Sequence, residues 1–133
     1  RGKMSLEITV KERRPGVFLI APSGELNTST YEKLEGEVNP MLSSATALIF
    51  DLKDLTYISS MGLRALFRAK KIMEEKSCSF MLVNPQPQVK LVFETVKILS
   101  DNLLASLEEA DELLDSFLDK VQKGKIKPYK PQA

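Results

Sequence analysis

Histidine and tryptophan are absent from this chain, and cysteine occurs once. Without imidazole there is no Ser/His or Cys/His nucleophile pair and no histidine-ligated metal site. The single thiol, Cys78, has no partner for an internal disulfide, which fits a reducing compartment. It reads as filler at the start of a strand. No apolar run approaches the ~20 residues of a membrane span, and no charged segment leads into the apolar core of a signal peptide. The expectation is therefore a cytoplasmic protein. An excess of one charge is missing too: 19 basic against 18 acidic residues give a formal net charge of +1, too little field to recruit nucleic acid or an anionic membrane. Neither the dinucleotide-binding glycine fingerprint nor the P-loop pattern occurs. Carboxylates or lysine could still catalyse, but no cluster announces it, and the reading is of a protein that is not an enzyme and uses no metal or cofactor.

What is present is enough for one domain. A chain of 133 residues can bury roughly two-thirds of its surface without staples. Arg1 to Lys3 are set aside, with Met4 the expected native start. Leu6, Ile8 and Val10 alternate with Glu7, Thr9 and Lys11 as in a half-buried strand, and Pro15-Gly16 turns the chain into a second strand, Val17 to Ala21. Ser29 with Glu32 has capping-box spacing, and Tyr31, Leu34, Val38 and Met41 or Leu42 form one helical face that Pro40 kinks or ends. Ser79 to Val83 reads as a buried strand, and Pro87 suits the first turn of a helix turning Val89, Val92, Phe93 and Val96 inward. A short strand is expected near Leu103 to Ala105. Ser106 and Glu109 then open a last helix with a stripe of Leu107, Ala110, Leu113 or Leu114, Phe117 or Leu118 and Val121, stopped by Gly124. The domain is expected over residues 4–121, with residues 122–133 a disordered basic tail. No internal repeats occur. This order predicts an α/β fold, a small mixed sheet of four to five strands with helices packed on it.

The chain is organised around the stretch from Leu48 to Arg64. Leu48-Ile49-Phe50 ending in Asp51 suits a strand covered on both faces. Leu63, Leu66, Phe67 and Met73 recur at helical spacing, so a helix begins near Ser60. Lys53 to Ser59 reads as a polar loop at the surface. Helix N-termini carry unpaired N–H groups and the positive end of the macrodipole, and they favour a serine hydroxyl as cap or a phosphate as bound anion. Ser59 or Ser60 could fill either role. Gly62 reads as a close-packing or backbone requirement, Met61 as an adaptable apolar contact or core filler. Arg64, Arg68, Lys70 and Lys71 read as an ordinary solvated helix face.

Gly24-Glu25-Leu26-Asn27 before the first helix, Asp51-Leu52 at a strand end and Ile58-Ser59-Ser60-Met61-Gly62-Leu63 at the next helix start resemble the STAS domain of bacterial anti-sigma factor antagonists. The likeness runs from about Met4 to Phe117. It implies a partner switch without catalysis. Unphosphorylated, such a protein binds an anti-sigma factor, often itself a serine kinase, and frees a sigma factor. Phosphorylated on a serine at the helix start, it lets go, and a serine phosphatase resets it. Anchoring on Gly62-Leu63 places the acceptor at Ser60, with Ser59 as runner-up. Ser59 stands where the family's usual pattern has aspartate, Met61 where it has a small residue, and Asn27 where it often has aspartate. The partner-binding set implied is Asn27, Thr28, Asp51, Ser59, Ser60, Met61, Gly62 and Arg64. Two other readings keep or change the fold. A permanently binding STAS subunit of a signalling or transport assembly would keep it, and a phosphoaspartate receiver would use Asp51. A receiver needs an acidic pair after its first strand to hold Mg²⁺, whereas this one ends Glu12-Arg13-Arg14.

Overall fold

The computed structural model describes residues 5–96 and 111–125. Strands β1 (Leu6–Arg14) and β2 (Val17–Leu26) run antiparallel, with Val10 opposite Ile20. Between them Gly16 takes a left-handed φ of +82°, which glycine adopts without steric cost. Helix α1 (Tyr31–Val38) follows, and Pro40 lies in a single 3-10 turn, Asn39–Met41, at its end. The expected cap at Ser29 is not there. Thr30 is the N-cap, and its hydroxyl donates backwards to the Glu25 carbonyl (2.7 Å) instead of accepting from the helix. Ser29 donates its N–H to Asn27 Oδ1 (2.9 Å), the local side-chain turn that asparagine favours.

The chain continues through β3 (Ala47–Asp51), β4 (Leu55–Ile58), α2 (Ser60–Glu75), β5 (Ser79–Val83), α3 (Pro87–Val96) and α4 (Asp111–Gln122). The sheet has five strands in the order β1-β2-β3-β5, with β4 paired to β2. Among the described residues only the β1–β2 pair is antiparallel. The mixed α/β sheet read from the sequence is therefore present, but Leu55–Ile58 is a strand where a polar loop was expected. Strand β2 is long enough to serve two neighbours in succession. Its start, Val17 to Ile20, pairs with β3 and its end, Gly24 to Leu26, pairs with β4.

Alternation sets the core. Leu6, Ile20, Leu26, Leu48 and Phe50 point inward from the strands and meet Leu34 and Val38 of α1, Leu63, Leu66 and Met73 of α2, Val89 and Val92 of α3, and Leu118 of α4. Burial of each such side chain contributes about 1.5–3 kcal/mol, so the last helix docks on the domain, as its apolar stripe implied. It runs to Gln122, short of the expected stop at Gly124. Gly124 (φ +74°) then stops it, with the Lys125 N–H donating to the Lys120 carbonyl at 2.8 Å. The strand expected at Leu103 to Ala105, the Ser106/Glu109 cap, Leu107 and Ala110 lie outside the described residues, as does the tail from residue 126.

Side-chain amides close the free edge of β4. Gln122 takes both backbone groups of Ile58, accepting from its N–H on Oε1 (2.9 Å) and donating from Nε2 to its carbonyl (2.8 Å). Gln88 donates to the Thr56 carbonyl (2.9 Å), and Gln86 donates to that of Lys53 (2.7 Å).

Candidate functional site

The site is built where β2 and β4 end together and α2 begins. The Ser59 N–H donates to the Leu26 carbonyl (2.9 Å), which ties the start of α2 to the end of β2. Gly62 permits that approach, because a Cβ there would lie 2.6 Å from the Leu26 oxygen and 2.7 Å from its Cγ. Ser59 has extended backbone and is the N-cap of α2, its Oγ accepting from the Gly62 N–H at 3.3 Å. Of the two roles open to the serines, Ser59 has the cap. Ser60 is the first helical residue and is 0 % exposed, and its hydroxyl is buried without a hydrogen-bond partner among the described residues. An unsatisfied buried hydroxyl costs about 1–3 kcal/mol, and the helix needs no second cap to account for it.

The surface loop expected to present these serines is absent. Ser59 is 5 % exposed, and helix α4 lies against the site from the far end of the chain. Asp115 accepts from the Ser60 N–H on Oδ1 at 2.7 Å, filling the position at the positive end of α2 where a carboxylate or phosphate is favoured. One turn on, Asp119 Oδ1 accepts from the Tyr57 hydroxyl at 2.7 Å. This bond holds the Asp119 carboxyl below its ordinary range, and Lys123 beside it adds to the effect. Burial, then the same bond, pushes the Tyr57 hydroxyl well above the usual tyrosine range. Gln122 completes the series on Ile58. Asp115, Tyr57, Asp119 and Gln122 were not singled out from the sequence. Their signal was the polar set Asp115, Asp119 and Gln122, which shares a helical face with the buried Leu118 and Val121.

The other expected residues divide into three groups. Asn27 is buried beside the site: its N–H donates to the Thr30 hydroxyl (2.8 Å) and its Nδ2 to Glu25 Oε1 (3.4 Å). Thr28, next to it, is exposed. Met61 and Arg64 sit half-buried on the first turn of α2, with Arg64 Nη1 3.9 Å from the Met61 sulfur. Asp51 stands apart from the serines, at the end of β3. It accepts from the Lys53 N–H (3.2 Å), Lys53 Nζ (3.4 Å) and Asn84 Nδ2 (3.3 Å). Burial raises its carboxyl but these bonds outweigh it, so the net shift is downward. Farther along α2, Arg68 pairs with Glu35 of α1 and Lys70 with Glu74. Among the described residues no cluster of histidine, cysteine or carboxylate side chains could hold a metal ion, and no helix is long and apolar enough to cross a membrane.

The STAS domain model matches residues 9–111. The chain belongs to the STAS domain family. It is 30 % identical over 96 residues to BtrV of Bordetella bronchiseptica, a candidate anti-sigma factor antagonist, covering 71 % of this chain and 83 % of that one. Two solved structures share the fold at 19 % identity. One is the anti-sigma factor antagonist SpoIIAA in its unphosphorylated form (TM-score 0.63, 69 % of this chain and 82 % of that one). The other is the Bacillus cell fate determinant SpoIIAA in its phosphorylated form (TM-score 0.59, 66 % and 81 %). The STAS match ends at residue 111, the first described residue of α4.

Proposed function

We propose that this STAS domain is an anti-sigma factor antagonist: a binding protein, not an enzyme, that engages an anti-sigma factor through the surface around Asn27, Thr28, Ser59 to Gly62 and Arg64. Binding releases a sigma factor, and phosphorylation of Ser60 by the partner's serine kinase activity ends it until a serine phosphatase restores the hydroxyl. The observation that carries this reading is the Ser60 hydroxyl, buried at the first turn of α2 with no partner among the described residues while Ser59 does the capping. The BtrV likeness supports the partner class. Asp51, held by Lys53 and Asn84, belongs to the support of the sheet end.

A phosphate on Ser60 would add about −1.5 to −2 charges. At a helix N-terminus that charge is tolerated, but at an interface an uncompensated charge costs about 3–5 kcal/mol. The test is binding to the anti-sigma factors of the source cell by calorimetry. Ser60→Asp should weaken binding by at least about tenfold, ~1.4 kcal/mol, and Ser60→Ala should bind yet resist modification. Phosphate mapped to Ser59 after kinase treatment, or full-strength binding by Ser60→Asp, would overturn the assignment.

A further inference from the structure

Helix α4 and a phosphate on Ser60 require the same place. The Asp115 carboxylate already occupies the acceptor position at the first N–H of α2. Ser60 is sealed, and the edge of β4 beside it is taken by Gln122. The bonds across this seam are polar and form a series at one-turn intervals, Asp115 to Ser60, Asp119 to Tyr57 and Gln122 to Ile58. Between them Leu118 and Val121 supply the apolar contact. A kinase cannot reach a hydroxyl that is 0 % exposed, and a dianion cannot settle against a carboxylate bound to its own backbone N–H without displacing it.

We propose that α4 is an internal competitor for the partner surface, a latch that covers Ser60 and the end of β4 and must swing away before the serine is modified. Latching and phosphorylation exclude each other: a docked α4 shields the hydroxyl, and a phosphate on Ser60 repels Asp115 and keeps α4 off. The partner that replaces α4 presents what α4 presents, a carboxylate or other acceptor for the Ser60 N–H and an amide or strand edge for Ile58. This inference rests on Ser60 being the acceptor, and the tests below need no kinase.

The first test is the reactivity of a thiol at position 60. In a chain carrying Cys78→Ser and Ser60→Cys, iodoacetamide should alkylate Cys-substituted position 60 slowly. The same chain with Tyr57→Phe and Gln122→Ala, which loosen the latch without touching residue 60, should react at least about tenfold faster. Equal rates in the two chains would overturn the latch. Because a sulfur at so tight a position could prevent folding, a second measurement uses the native serine or its mimic. Hydrogen exchange of the backbone amides of residues 111–122 should quicken at least about tenfold in Ser60→Asp, while those of β2 and β3 keep their protection. Unchanged exchange in α4 would overturn the proposal. If α4 opens as described but cellular kinases never modify Ser60, the phosphorylation reading falls and with it the shielding role, and α4 remains a competitor for the partner surface alone.

Discussion

Replacing Gly62 by alanine separates local helix preference from tertiary fit. On helix propensity alone, the change in the first turn of α2 should stabilise by up to about 1 kcal/mol. The structure says otherwise. The added Cβ would meet the Leu26 oxygen at 2.6 Å and Leu26 Cγ at 2.7 Å, and neither can retreat cheaply. The carbonyl is bound by the Ser59 N–H, and the side chain is completely buried. Overpacking a filled core costs roughly 1–3 kcal/mol, and loosening the Ser59 bond about 1 more. Set against the propensity gain, the net is a destabilisation of about 2 kcal/mol. For a domain of this size that lowers the melting temperature by about 6–10 °C, readable by circular dichroism. Gly36, inside α1 with nothing within 4 Å of an added Cβ, is the internal control and should gain about 0.5–1 kcal/mol as alanine. A Gly62→Ala protein as stable as the parent, or more so, would refute the claim that close approach to Leu26 sets the start of α2.

Ser59→Ala removes the cap on Gly62 and should cost about 1 kcal/mol while leaving the protein folded; a melt shifted by less than the error of replicates would remove Ser59 from the capping role. The Tyr57–Asp119 bond makes the docking of α4 pH-dependent at both ends. Asp119 has its folded pKa below the ordinary 3.8, so its contribution is present above that value and is lost as pH falls through the folded one. Tyr57 has its folded pKa above the ordinary 10.0, so its contribution is complete below 10.0 and is lost as pH rises through the folded value. Amide exchange in α4 should therefore accelerate in acid and in strong alkali relative to the core, and Tyr57→Phe should shrink both limbs. A profile that Tyr57→Phe leaves unchanged would count against this seam.

Alternation and spacing made most of the sheet legible. The inward set on β1 and β3, the turn at Gly16 and the start of α2 follow from residues close together in the chain. Strand β4 escaped because Leu55 and Ile58, its two buried positions, are three apart where a regular strand would place them two apart. The register slips between Gly24 and Glu25 of its partner, and such an irregularity erases the period by which strands are read. The cap of α1 escaped because Thr30 spends its hydroxyl on Glu25, a tertiary preference that capping-box spacing cannot reveal. The site was half legible. Its serines stand out at a helix start, but the acceptor for the Ser60 N–H is Asp115 and the closure of β4 rests on Gln122, 55 and 64 residues away. A stripe on the last helix says that it docks and leaves open on what.

The glutamines along β4 also bear on how the protein behaves when crowded with copies of itself. A bare strand edge is a template on which another chain can lay down a further strand, and each addition exposes a new edge for the next. A glutamine amide satisfies the same donor and acceptor but carries no onward backbone, so growth ends where it starts. Any state that carries Gln122 away from Ile58 therefore exposes the Ile58 edge, and whatever molecule binds then also serves as the chain terminator against polymerisation.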